Sequence, residues 1–365
     1  MALAGLTGPE IALVLNSGSS SLKFAAFDIA GSAVRDIVAG QVDPADGDGA
    51  FAAIDAALAA AGAAAPIAVG HRIVHGGPRL GQHCRVDDAV IRELERAEPF
   101  APLHVPAALA LLDKARGRYA GRAQIACFDT TFHVAMPDIA RTLPIPRSLR
   151  TQGIHRYGFH GLSCESIVHQ LGRDLPARLV IAHLGNGASV TAVRDGRSID
   201  TSMGLTPTGG VIMSTRTGDI DPGVLIHLMR ARGCGPAELE RLVDKEAGML
   251  GISGLSGDMR VLHEASPNAD ADLAVAMFCR SVAKQIAAMM TALGGADMIV
   301  FTGGIGEHDA IVRRRICDDL VWVGVTLTVA GAPESATPAS ACSAITLCSN
   351  EESQIARHMQ AILRE

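Results

Sequence analysis

The sequence predicts an α/β protein built from two similar domains, and three stretches carry that expectation. In "LVLNSGSSSLKF" (13–24), a turn of Asn, Ser and Gly joins the apolar runs Leu13–Leu15 and Phe24–Phe27, the pattern of two buried strands and a tight connection. "LVIAHLGNGASVTAVRDG" (179–196) repeats the grammar, and placing Gly18 on Gly185 also places Asn16 on His183 and Asp28 on Asp195 without a gap. "ADMIVFTGGIGEHDAIV" (296–312) reads as a strand, a glycine loop and a helix start, where backbone can approach a ligand and unpaired N–H groups can meet it. Matched hairpins with one late glycine loop predict two α/β domains facing each other across a cleft that holds a phosphate-bearing ligand. An ordinary hairpin turn is the bland alternative for the first stretch.

Composition narrows the class. At 365 residues, 48% of them hydrophobic, the chain can bury two cores. Its net charge of -6 and 3% aromatic content give no basic, aromatic-interleaved surface for nucleic acid, so small-molecule partners are expected. The start "MALAGLTGPEIALVLN" has no basic n-region, and the alanine-rich stretch Phe51–Gly70 contains Asp55 and Pro66, so neither a signal peptide nor a membrane span is expected there. Eight cysteines without a C-x-x-C pair point to reduced thiols and a cytoplasmic protein.

Familiar phosphate motifs are missing. There is no G-x-x-x-x-G-K-[ST], and "GNGAS" is an incomplete dinucleotide fingerprint followed by a strand-like run. No G-x-S-x-G supports a serine hydrolase. His71 and His75 have zincin spacing, but the glutamate is absent and Gly76-Gly77 ends any helix. What remains is a set of polar loops: "GHRIVHGG" (70–77), "PLHVP" (102–106), "FDTTFH" (128–133), "YGFHG" (157–161), "DTSMGLTPTGG" (200–210), "STRTGDIDPG" (214–223) and "SGLSGDMR" (253–260). Arg72 and Arg216 lie in glycine-bordered loops where a guanidinium fork can take a carboxylate or phosphate; structural salt bridges are the alternative. Serines, arginines and histidines with few nucleophile–base pairs suit phosphoryl transfer, which demands positioning and charge neutralisation.

Taken in order, "NSGSSSLK", "GHRIVHGG", "FDTTFH", "YGFHG", "HLGNGAS", "DTSMGLTP", "TRTGDIDPG", "SGLSGDMR" and "FTGGIGE" resemble the acetate kinases over nearly the whole chain. The resemblance implies two ribonuclease-H-like domains of the actin-like ATPase fold with a cleft between them. It also implies Mg2+-dependent transfer from ATP to acetate, giving acetyl phosphate and ADP by in-line displacement, with Mn2+ as an alternative ion and a homodimer as the assembly. Arg72 matches the arginine that binds the substrate carboxylate, and Asp129 the aspartate that holds it. His160 and Arg216 match the pair on the transferring phosphoryl group, and His104 a further active-site histidine. Asn16 and Glu351 match the magnesium positions, while Ser19, Ser21 and Lys23 match polar residues facing the phosphates. Nucleotide contacts fall on His183, Leu184, Gly185, Asn186, Gly187, Asp258, Met259, Arg260, Gly304, Ile305, Gly306, Glu307 and His308. Val74, Leu103, Phe159 and Pro207 match the apolar pocket for the acid's methyl group.

Some positions depart from that pattern. Cys164 and His308 replace a usual histidine and asparagine, "TPTGG" lacks a usual glutamate, and segment 332–348 is short. The expected division is residues 1–145 plus 352–365 for the N-terminal domain and 146–351 for the C-terminal domain, which carries most nucleotide contacts. A propionate or other short-chain acid kinase is the alternative enzyme, since one methylene in an apolar pocket is worth only about 1–3 kcal/mol of discrimination. An actin-like module without transfer activity is the alternative of another class.

Overall fold

The computed structural model describes residues 8–17, 22–43, 47–102, 104–327 and 342–365, so Ser19, Ser21 and Leu103 lie outside the described residues. The chain forms two compact units, one of residues 1–131, 161–166 and 350–365, the other of 132–160 and 167–349. Residues 132–145, placed in the N-terminal domain by the sequence reading, group with the second unit.

The first unit holds β1 (Ile11–Ser17), β2 (Leu22–Asp28), β3 (Arg35–Val42), β4 (Ala68–Ile73), β5 (Cys84–Arg85) and β6 (Ala123–Phe128) in the order β3-β2-β1-β4-β6-β5. The second holds β7 (Arg178–Leu184), β8 (Ala188–Arg194), β9 (Arg197–Thr201), β10 (Met298–Thr302), β11 (Val325–Leu327) and β12 (Cys342–Thr346) in the order β9-β8-β7-β10-β12-β11. In each sheet the first three strands pair antiparallel and the central strand then pairs parallel with the next. The sixth strands differ: β5 runs antiparallel to its neighbour, β11 parallel.

The repeat is real, but its ungapped register is not. β1 and β7 superpose Asn16 on His183 as expected, yet four positions separate the paired Ser17 and Leu22, against three between the paired Leu184 and Ala188. Leu22 therefore corresponds to Ala188, and Asp28 to Arg194 rather than Asp195. A shared irregularity fixes this register: the ladder slips between Ala26 and Phe27 in one unit and between Ala192 and Val193 in the other.

β1 shows why the strands are apolar throughout. Ile11, Leu13 and Leu15 point to one face, where Phe24, Phe51, Ile54, Leu58 and Val69 pack against them. Ala12 and Val14 point to the other, against Ala25, Phe27, Ile355, Ala356 and Met359. Both faces of this strand are covered, so period-two alternation yields a continuous hydrophobic run. The alanine-rich stretch forms the helix Asp48–Ala60, and its last residues, Ala68–Gly70, begin β4. In the second unit the helix Ala269–Leu293 is long and apolar enough to cross a membrane, but Ala274, Phe278, Val282, Ile286, Met289 and Leu293 bury its inner stripe, as in a core helix.

The C-terminal helix Glu351–Arg364 lies directly on Gly70 of β4: a β-carbon there would collide with Met359 Sδ and stand 2.9 Å from Ile355 Cγ2. Gly70→Ala should destabilise the fold by about 1–3 kcal/mol by overpacking, and combined with Met359→Ala the total loss should be less than the sum of the two separate costs. Thermal unfolding of the wild type, single and double variants measures both; an unshifted melting temperature in Gly70→Ala would contradict the packing.

Candidate active site

In the first unit, neighbouring strands β1, β4 and β6 bring Asn16, Arg72 and Asp129 to their carboxyl ends, where ligands bind in open α/β sheets. Arg72 donates Nη2 to Asp129 Oδ2 at 2.6 Å and Nε to the same oxygen at 3.0 Å, while Nη1 reaches Asn16 Oδ1 at 3.3 Å. Asn16 Nδ2 donates to Glu351 Oε2 at 3.1 Å and Glu352 Oε1 at 2.8 Å, and Arg72 Nε stands 3.7 Å from Glu351 Oε2. Burial works against the Arg72 charge, but Asp129 and Glu351 outweigh it and hold the guanidinium protonated. Burial pushes the Asp129 carboxyl up; Arg72 pulls it back, and the Glu351 carboxylate pushes it up again, for a net rise.

Asn16 and Glu351, expected at a magnesium ion, are thus hydrogen-bonded neighbours. Within this group three carboxylates, Asp129, Glu351 and Glu352, face one guanidinium. Hard oxygen donors carrying surplus negative charge are the donor set that suits Mg2+ or Mn2+. Lys23 is Asn16's cross-strand partner and is exposed. Val74 lies half-buried just past β4, and His104, also half-buried, caps the helix Val105–Arg118.

The second unit gathers His160, His183 and Arg216 around the "GNGAS" turn. A β-carbon on Gly187 would stand 3.3 Å from His160 Nε2 and 3.2 Å from Arg216 Nη1, so the imidazole and the guanidinium both pack where only a glycine leaves room. Arg216 Nη1 also donates to the Pro207 carbonyl at 3.1 Å. The His160 ring stacks on His183 with centroids 4.1 Å apart, and its Nδ1 lies 2.9 Å from Ser189 Oγ. His160 has a left-handed backbone, φ 57°, at the start of the helix Gly161–Leu171. The preceding peptide is pinned: the buried Phe159 carbonyl accepts from His133 Nε2 at 2.9 Å, and His133 Nδ1 meets Ser198 Oγ at 2.8 Å. Ser189 and His133 are the two residues that sequence reasoning passed over, although each closes a quoted motif.

The remaining nucleotide candidates divide. The helix Gly303–His308 packs against the end of β7, since a β-carbon on Gly303 would stand 2.8 Å from the Leu184 carbonyl oxygen. The glutamate of that loop is spent internally: Glu307 Oε1 accepts from the Gly303 and Ser349 N–H groups, both at 3.0 Å. Asp258 caps the helix Met259–Glu264 and pairs with the exposed Arg260 at 2.7 Å. His263 Nε2, 2.8 Å from Asp309 Oδ2, ties that helix to the glycine loop. His308 is 79% exposed on its side chain and lies 4.0 Å from Glu307. His71 fills the core role rather than a zincin one, buried on β4 with Nε2 2.8 Å from Gln124 and pushed down to about 4 by that burial.

His83, Glu165 and His358 form a further cluster in the first unit, with ligand atoms within 4.8 Å of one another. Its tautomer argues against a metal. The Phe128 N–H donates to His83 Nδ1 at 3.1 Å, which leaves the ring proton on Nε2, the atom facing Glu165 at 3.8 Å. His358 Nε2 lies 2.5 Å from Glu165 Oε2. Burial raises the Glu165 carboxyl, but His358 and His83 outweigh it and bring it from 4.5 down to about 2. Because the folded value lies below the unfolded one, the stabilisation is complete above about pH 5 and fades as pH falls toward 2. Glu165→Gln should cost on the order of 3 kcal/mol at pH 6 and little near pH 2, measured by denaturant unfolding across that range. A pH-independent cost would contradict the pairing.

Comparison with known proteins places the chain in a family. The chain is 40% identical to "Acetate kinase" of Deinococcus deserti over 391 aligned residues, covering 97% of this chain and 98% of that one. It is 42% identical to "Acetate kinase" of Rhodopseudomonas palustris over 303 residues, 80% and 76% of the two chains. The structure matches Porphyromonas gingivalis acetate kinase with a TM-score of 0.82 at 32% identity, covering 97% and 100% of the chains. It matches a propionate kinase of Francisella tularensis with a TM-score of 0.83 at 31% identity, covering 96% and 98%. These neighbours share the expected pair of ribonuclease-H-like domains of the actin-like fold. With the Acetokinase family model matching residues 50–357, the chain belongs to the Acetokinase family.

Proposed function

We propose that the chain catalyses reversible phosphoryl transfer from ATP to acetate, giving acetyl phosphate and ADP. One observation supports this reading above the others: His160 Nε2 and Arg216 Nη1 meet over Gly187, an imidazole donor beside a fixed guanidinium charge. An acetate oxygen brings its own lone pair and no proton, so its attack on the γ-phosphorus needs no general base. The P–O bond to the β-phosphate breaks in line, and its electrons leave on ADP. What such a reaction demands is cations that keep two anions from repelling as they meet.

In this account the first unit binds the acid through Arg72, oriented by Asp129 and Asn16. The second unit meets the transferring group with His160 and Arg216. Val74, Leu103, Phe159 and Pro207 are assigned to the acid's alkyl end, and His104 to the active site, by resemblance to the acetate kinases. The "GNGAS" turn, Asp258–Arg260 and Gly304–His308 take the nucleotide, with Ser19, Ser21 and Lys23 toward its phosphates. Asn16 and Glu351 would hold Mg2+, which supplies further charge neutralisation on the phosphates when bound. Propionate is the second substrate reading, supported by the equally good match to the Francisella structure.

A homodimer and a cytoplasmic location belong to this proposal. The helix Pro222–Arg232 buries none of its residues, and Val224, Ile226 and Met229 are exposed on it, an apolar surface suited to a homodimer. None of the eight cysteines, all among the described residues, forms a disulfide, in keeping with a reducing cytoplasm.

Arg72→Ala and Arg216→Ala should each lower kcat/KM for acetate about a hundredfold, on the order of 3 kcal/mol, because each removes a cation from a site that holds two anions. Steady-state assays with ATP, Mg2+ and a panel of short acids decide this. Near-normal kinetics in both folded variants would sink the mechanism, and a higher kcat/KM for propionate would move the substrate assignment.

A further inference from the structure

Ser189 and His183 are opposed partners on the β7–β8 ladder, and both engage one ring. His183 stacks on the face of His160, and Ser189 Oγ meets its Nδ1 at 2.9 Å. Ser189 is fully buried, and its hydroxyl has this one hydrogen-bond partner among the described residues. If the hydroxyl accepted from Nδ1, its own proton would be buried and unspent; as donor to Nδ1 it is satisfied. The backbone side of the ring is fixed as well. The Phe159 carbonyl can only accept, so His133 donates from Nε2 and holds the peptide that sets the left-handed φ of His160.

We infer that Ser189 is a positioning residue that donates to His160 Nδ1, places the ring proton on Nε2, and keeps that N–H directed toward Gly187. The inference rests on the phosphoryl-transfer reading for its purpose. His160 then remains a hydrogen-bond donor to the transferring group in its neutral form, without first gaining a proton, and Arg216 supplies the fixed charge beside it. The tautomer itself follows from the hydroxyl and does not depend on the reaction.

Two measurements test it. In 15N-histidine-labelled protein, with His160→Gln identifying the resonances, neutral His160 should show a bare Nδ1 and a protonated Nε2. A protonated Nδ1 and bare Nε2 would overturn the assignment whether or not the protein is active. In kinetics, Ser189→Ala should lower kcat about tenfold, the size of one lost buried hydrogen bond, and leave KM for ATP and acid within about twofold. Native kcat in Ser189→Ala would overturn the positioning role, and so would a loss seen only in KM. A wild-type chain that phosphorylates no short acid would defeat the function reading instead, with the 15N spectrum still deciding the tautomer.

Discussion

A buried guanidinium tied to a buried carboxylate is the interaction on which the first unit's chemistry depends. Arg72 sits at the end of a central strand with 16% of its side chain exposed, and Asp129 is fully enclosed. Removing two charges from water is costly, and only good geometry with further hydrogen bonds offsets it. Here the fork of contacts to Asp129 and the reach to Asn16 supply that geometry, at the carboxyl ends of three adjacent strands. Glu351 and Glu352 add two carboxylates through Asn16, which donates to both.

The duplicated sheet uses one rung of one hairpin in two ways. Asn16 pairs with Lys23 in the first unit, and the corresponding pair in the second is His183 with Ser189. The first rung faces the Arg72 ion pair and the C-terminal helix. The second cradles His160 from its face and from Nδ1. A strand pair is a rigid mount, so side chains at the same rung are placed equally firmly whatever their chemistry. Duplication here repeats a scaffold rather than a site.

Legibility in the sequence followed how local the physics was. Alternation in β1, the strand-and-glycine grammar around residue 300 and the repeat of the first hairpin were all readable, because each is set by neighbours in the chain. The gap in the repeat was not, since a turn of three residues and one of four both close an antiparallel pair, and only the shared slip at Ala26 and Ala192 exposes the register. Arg72 with Asp129, and Asn16 with Glu351, were paired through resemblance to the acetate kinases; spacing alone could not join residues 16 and 351. Ser189 and His133 carry no sequence signal beyond closing a motif, because their meaning lies in which ring atom each one faces. Glu307 shows the converse: a motif residue whose carboxylate holds its own loop closed.

The account's central claim is that the phosphoryl group passes directly to the acid, met by fixed cations and never held covalently by the protein. Stereochemistry at phosphorus tests it most directly. With ATP made chiral at the γ-phosphorus by oxygen isotopes, a single in-line displacement predicts inversion of configuration in the acetyl phosphate formed. Retention would require an even number of displacements, and with it a phosphorylated protein group that this account does not contain.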